Sequence, residues 1–419
     1  MNKPIFIFIG LFVSTLLAKA QSLEELIDKA KAHNPQSLQL ALIDELSDLK
    51  IKQISGSNLP QSSIGGQATW QSAVTSIDIS LPGVNIQPPP KDQYKVTLDV
   101  QQNIWDGGLS ASQKSMEMAN REVNSKKVVT DLFQIEEQIS NIYFGLLFAD
   151  RQRSNAALIL NELNSKIVQV KAAIENGVAI KSSLLILEAK KIELAQSISE
   201  IEKKKSTALK TLSILTGENI DENISLEIPE FMELEAMGNQ RPELALMTAQ
   251  QGAIQASEKL VKAKNAPKLG LFATGGYGRP GLNFLARDFS PYMIGGLSLK
   301  IPLSHLYNGG QANDIQQIKV NQLKVETQKR GFLMASEVKF ANQMAEKERL
   351  ESLLKSDAQL IAIRGQIRIT ADAQLTNGVI TSNEYLTELN NEDMAKQALI
   401  LHEVQLLQAK QNLKLILGQ

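Results

Sequence analysis

The residues able to do chemistry are scattered along this chain and build no reaction centre. Its histidines stand at His33, His305 and His402, in unrelated contexts, without the close spacing to other ligands that a metal site needs. Cysteine is absent, which excludes disulfides, thiolate chemistry and a lipidated cysteine. Gly275-Gly276-Tyr277-Gly278 lies inside an alternating segment, so it makes a poor phosphate cradle. The sequence holds neither a Walker loop nor a serine in a nucleophile elbow. The expectation is a protein that is no enzyme and carries no metal or cofactor. With 44 basic against 45 acidic side chains, a broad nucleic-acid footprint is not expected either.

The elements, in contrast, are strongly patterned. Residues 1–20 read as a cleaved secretory signal, with Lys3, an apolar stretch from Ile5 to Leu17, and Ala18-Lys19-Ala20 before Gln21. Beyond it no apolar run is long enough for a membrane helix. Membrane insertion would therefore have to be by β-strands.

The mature chain then repeats itself. Asn103-Ile104-Trp105-Asp106-Gly107-Gly108 returns, 202 positions later, as His305-Leu306-Tyr307-Asn308-Gly309-Gly310. Each copy opens a proline-free run ending at Asn176-Gly177-Val178 or Asn377-Gly378-Val379. A helix of ~70 residues at ~1.5 Å each is on the order of 100 Å long, the length of a tunnel rather than of a domain. Within the first run Leu132, Ile135, Ile139, Ile142, Leu146 and Ala149, then Leu160, Leu163, Ile167, Val170 and Ile174, step by three and four. That seam asks for a partner helix, and Arg153 interrupts it.

The expected division is 21–217 for the first repeat, 218–240 for a connector and 241–419 for the second repeat. The first repeat holds a helix at 35–59, strands about 62–74 and 93–104, and helices about 108–176 and 180–216. The second holds a helix at 242–266, strands about 268–278 and 290–303, and helices about 310–377 and 381–417. In the second strand Tyr94, Val96, Leu98 and Val100 alternate with Lys95, Thr97, Asp99 and Gln101, so they take opposite faces. Both tryptophans and four of the six tyrosines fall in or beside the strands. Trp70, Tyr94, Trp105, Tyr277, Tyr292 and Tyr307 are expected as interfacial aromatics. Ordinary β-propensity would also favour aromatics there. Four strands are too few to close a membrane barrel, which begins at about eight, so a membrane sheet would have to be shared between copies.

Taken together, the duplication, the elbows at Asp106-Gly107-Gly108 and Asn308-Gly309-Gly310, and the two hairpin tips resemble the TolC-like outer-membrane efflux proteins over 21–419. The resemblance implies a mainly α protomer with a membrane β-barrel part: long helical hairpins plus four strands. Three protomers would form a trimeric α/β channel-tunnel, with the barrel in the outer membrane and the helices in the periplasm. It also implies docking of the tips, at Asn176, Gly177, Val178, Asn377, Gly378 and Val379, on a periplasmic adaptor, with an inner-membrane pump supplying energy. Each tip valine could contact the adaptor or fold back onto its own helix.

Glu384 lies six residues past Gly378, where related channels place the first of two acidic gate residues. A threefold ring of Glu384 would favour cations and raise the carboxyl pKa. Thr387 stands at the second position and Ser183 at the equivalent place in the first repeat, so the gate is less acidic than the family pattern. The expected function is the exit duct of a tripartite efflux system, conducting passively. Polypeptide secretion shares the fold and is the nearest alternative. A soluble periplasmic coiled-coil scaffold would explain the helices but leave the strands idle.

Overall fold

A computed structural model describes residues 21–75, 88–222, 224–231, 238–303, 307 and 309–419. The signal expected over 1–20, together with His305 and Asn308, lies outside the described residues. The elements in order are α1 Leu23–His33, α2 Gln36–Gly56, β1 Gln61–Trp70, β2 Asp92–Trp105, α3 Leu109–Glu175, α4 Lys181–Thr216, α5 Pro242–Lys264, β3 Lys268–Arg279 and β4 Ser290–Lys300. The long helix α6 Gly310–Thr376 and the returning helix α7 Ser382–Leu417 complete the chain. No helix among the described residues is long and apolar enough to cross a membrane.

Two of the differences from the expected elements have physical causes. The strand expected over 62–74 stops at Trp70, before the turn residues Gln71 to Thr75. The helix α1 was not expected at all. Its signal was present: Ser22 caps the helix by accepting from the Glu25 N–H at 3.2 Å, and Leu23, Leu26, Ile27 and Ala30 follow helical spacing and are buried.

The chain divides into two compact units that cut across the repeats. One takes the described residues up to Ser37, Thr130–Pro242 and Leu333–Gln419; the other takes Leu38–Val129 and Glu243–Phe332. A repeat whose helices are this long cannot collapse on itself, so each unit gathers neighbours from both halves.

The first unit is helical and has two cores. In one, α1 lays Leu23, Leu26 and Ile27 against Ile139, Tyr143 and Phe144 of α3 and Leu212 of α4. Tyr143 is fully buried, and its hydroxyl donates to the carbonyls of Gln21 and Glu227. Burial, with Glu227 and Glu24 nearby, holds its pKa well above the ordinary tyrosine value. In the other, Leu163, Ile167 and Val170 pack on Leu187 of α4 and on Tyr385, Leu386 and Leu389 of α7. The seam read from the sequence is thus the buried stripe of α3. Fully burying a leucine such as Leu163 or Leu187 contributes about 1.5–3 kcal/mol. Arg153, at the break in the stripe, turns outward to Glu202 at 3.1 Å.

The second unit holds the sheet. Its order is β1-β2-β3-β4, antiparallel throughout. Both outer strands, β1 and β4, have one edge without a partner among the described residues.

Candidate functional site: a two-faced sheet and paired hairpin tips

The register sorts the strand residues into two chemically distinct faces. Ile64, Leu98, Gly275 and Met293 stand in one row across the four strands, and Gly66, Val96, Tyr277 and Pro291 in the next. Leu98 is half exposed, Ile64 80% and Met293 79%, so among the described residues nothing covers this broad apolar face. The opposite face carries Gln67, Lys95 and Gly278 in one row and Ser63, Asp99, Thr274 and Ile294 in another. There the Asp99 carboxylate accepts from the hydroxyls of Thr97 at 2.9 Å and Thr274 at 2.6 Å.

Aromatics mark the ends of the apolar face. Trp70, Tyr94 and Tyr277 gather at the end away from the helices. There Phe289 stacks on Tyr277 at 5.7 Å, and Arg279 lies 5.6 Å from the Tyr94 ring. At the other end Trp105 pairs with Leu269 because a bulge at Ile104 shifts the register by one residue. Without it Trp105 would fall on the polar face. Tyr292 differs from the expectation for interfacial aromatics. It pairs with Gly276 on the polar face, and its ring covers the space a Gly276 side chain would fill. Tyr307 is 81% exposed.

Each elbow turns on glycines. Gly107 and Gly108 have φ of 70° and 81° and Gly309 has 64°, a region open chiefly to glycine. The Asp106 carboxylate then caps α3, accepting from the N–H groups of Gly108 at 2.9 Å, Leu109 at 3.1 Å and Ser110 at 2.7 Å. Burial alone would raise its pKa, but the Ser110 hydroxyl and then these backbone bonds hold it below the ordinary aspartate value. Gly310 begins α6.

The tips are two copies of one motif. Gly177 donates to the Ile174 carbonyl at 3.0 Å and Val178 to Ala173 at 2.9 Å; Gly378 and Val379 repeat this with Leu375 and Gln374 at 3.0 and 2.8 Å. This is a Schellman ending, with glycine at φ 75° and 68°. In such endings the following apolar side chain commonly folds back. Here Val178 is 72% and Val379 70% exposed, so both present apolar surface outward. Asn176 and Asn377 each donate back to the fourth carbonyl before them, in Ala172 and Ala373.

Glu384 is tied into its own helix start. Thr381 and Glu384 form a reciprocal capping box: the Thr381 N–H donates to the carboxylate at 2.7 Å, and the Glu384 N–H donates to the threonine hydroxyl oxygen at 3.3 Å. The Thr381 N–H, and after it the Thr381 hydroxyl donating to the carboxylate at 2.9 Å, lower the Glu384 pKa. Within the protomer this is opposite to the direction expected of a ring of like charges. The first repeat has no such box because Ile180 occupies the cap position.

Behind the tips lies a charged cluster joining three helices. Arg368 of α6 pairs with Glu162 of α3 at 2.6 Å and with Glu392 of α7 at 2.5 Å; Tyr385 donates to Glu162 at 2.9 Å. Lys396 holds the other Glu392 oxygen at 2.9 Å. Lys166, almost fully buried, pairs with Asp372. Burial alone would raise the Glu392 pKa, but Lys396 and Arg368 bring it below the ordinary value.

Comparison with solved structures decides the architecture. The outer membrane protein VceC from Vibrio cholerae superposes with a TM-score of 0.70 over 94% of this chain and 96% of its own, at 17% identity. The Campylobacter jejuni CmeC outer membrane channel gives 0.69 over 96% and 86%, at 15% identity. The open state of the Neisseria gonorrhoeae MtrE outer membrane channel gives 0.69 over 94% and 88%, at 16%. No protein-family model and no curated protein matches the sequence. The chain has the TolC-like channel-tunnel fold.

Within this TolC-like fold the residues named from the sequence are only partly brought together. Val178, Ser183 and Gly378 share a groove of about 500 Å³ between the two tips, with Lys166 and Ser382. Glu384 lines a different groove, of about 520 Å³, with Ile363, Thr370 and Glu388. Ser183 and Glu384 are thus equivalent in the repeat but not in surroundings. Thr387 is exposed and bonds back to the Asn383 carbonyl at 2.9 Å. Sequence reasoning missed the charged cluster. A signal existed: Arg364 with Glu388 and Arg368 with Glu392 are each 24 residues apart across the turn at Gly378.

Proposed function

We propose that the chain is one third of an outer-membrane exit duct, through which solutes pass passively from the periplasm to the exterior. The observation that carries this reading is the sheet. Among the described residues its apolar face is uncovered, aromatic at both ends and bounded by two open edges. An open edge in lipid leaves backbone N–H and C=O groups unsatisfied at several kcal/mol each. Three copies joined β4 to β1 give twelve strands and no edge, with the apolar faces toward lipid and the polar faces around water. The resemblance to solved outer membrane channels supports the same assembly.

In this reading the tips meet a periplasmic adaptor through Val178, Val379 and the groove beside them, and an inner-membrane pump drives export through it. The Glu384 carboxylates gather around the threefold axis at the periplasmic mouth. Particle mass after detergent extraction from outer membranes tests the duct. A trimer that needs detergent to stay in solution is expected; a detergent-independent monomer in the soluble periplasmic fraction would refute it.

A further inference from the structure

The polar face of the sheet is not neutral, and its imbalance is concentrated where the strands meet the helices. Lys268 and Lys300 are direct cross-strand partners on that face. Like charges directly opposite each other destabilise a sheet. Among the described residues, neither lysine makes an ion pair that would relieve this. The carboxylates of the four strands and of the first elbow are otherwise engaged. Asp106 caps α3 through both oxygens, Asp99 is held by Thr97 and Thr274, and Asp92 is bound to Arg279. On α5, Glu258 is taken by Lys262 at 2.6 Å, and Lys264 adds a further positive charge. Nor would β1 of a second copy, the strand that would lie beside β4, supply the missing carboxylate, since it has no charged residue.

We propose that Lys268 and Lys300 form an anion-attracting band at the helical end of the barrel, favouring small anionic solutes such as carboxylates and phosphate esters. This rests on the duct reading above, which multiplies the pair to six ammonium groups around one water-filled section. Field lines in a narrow aqueous section with low-dielectric walls are focused, so the band raises the local concentration of anions. Its sign is opposite to that of Glu384, so the duct has a cation-favouring mouth and an anion-favouring barrel.

The absence of cysteine gives a clean test. Ser298 is on the same face two residues from Lys300, ~7 Å along the strand. Ser298→Cys in the full-length trimer, reconstituted in lipid vesicles, is labelled with anionic and cationic methanethiosulfonates, and Leu297→Cys on the apolar face serves as the reference. The expected rate ratio favours the anionic reagent by about fivefold at physiological salt. It should fall to near one in K268Q/K300Q and invert in K268E/K300E, with trimer mass unchanged. A ratio near one in the parent, or one untouched by both pairs of substitutions, overturns the band while leaving the duct standing. Ready labelling of Leu297→Cys with a silent Ser298→Cys would mean the polar face is not the wet one; the duct reading and the band would then fall together.

Discussion

Gly107→Ala would place a methyl group 2.4 Å from the Cβ of Ala266 and 2.9 Å from the Pro267 carbonyl oxygen, on a backbone at φ 70°. Relaxed carbon–carbon contacts lie near 3.5–4.0 Å, so either the elbow or the end of the α5 segment has to move. Gly108→Ala next to it shares the left-handed backbone, at φ 81°, but meets no heavy atom within 4 Å. The backbone term is about 1–2 kcal/mol for either glycine. The steric term, about 1–3 kcal/mol, belongs to Gly107 alone. Gly107→Ala should therefore cost about 2–5 kcal/mol and Gly108→Ala only about 1–2. Removing the opposing methyl with Ala266→Gly should return part of the steric term, since the Pro267 oxygen remains. Urea midpoints of the far-ultraviolet circular dichroism signal in detergent, measured for the two single variants and for G107A/A266G, would give the order. Equal costs for the two glycines, or no coupling between Gly107 and Ala266, would show that the elbow is not packed as described.

Arg368→Ala leaves Glu162 and the buried Glu392 short of a partner. A loss of about 2–4 kcal/mol is expected, less in R368A/E392A than the sum of the single changes; thermal melts of the set would show it. Glu384 has a lowered pKa, so its capping contribution is complete above the ordinary glutamate range and disappears only as pH falls through the lower folded value. Hydrogen-exchange protection of the first turn of α7 should stay flat from pH 8 to 5 and weaken in E384A; a midpoint near pH 6 would contradict the capping geometry. In bilayer recordings E384A should reduce cation preference, and unchanged selectivity would remove Glu384 from the mouth. A Cβ at Gly378 meets no heavy atom within 4 Å, so Gly378→Val strains chiefly the backbone; trimer yield should hold while co-purification of an adaptor drops. A pump complex unaltered by that variant would place docking elsewhere.

Much of the protomer was legible because its signals are local. The left-handed glycines at 107, 108, 177 and 378 needed only the conformational rule for a residue without Cβ. The three-and-four spacing from Ile135 to Val170 described a helix face that is buried as read. The alternation in β2 gave the face of Tyr94, Val96 and Leu98 without any partner strand. Even α1 was readable, from its Ser22–Glu25 cap and apolar spacing, although the expected elements omitted it.

The repeat, the element types and their turns are local properties, each set by the chain's own period or by one residue's allowed φ. Tertiary structure decided which side chains share a surface. Trp105 reaches the apolar face only because the pairing of β2 with β3 slips by one at Ile104, and register is a property of two strands. Tyr292 lies on the polar face because it pairs with Gly276. Glu162 meets Arg368 and Tyr385 across 206 and 223 residues of chain, a distance no local period can encode. The two units draw on both repeats for the same reason: a helix fixes its own axis and stripe, but the neighbours that cover the stripe are chosen by packing.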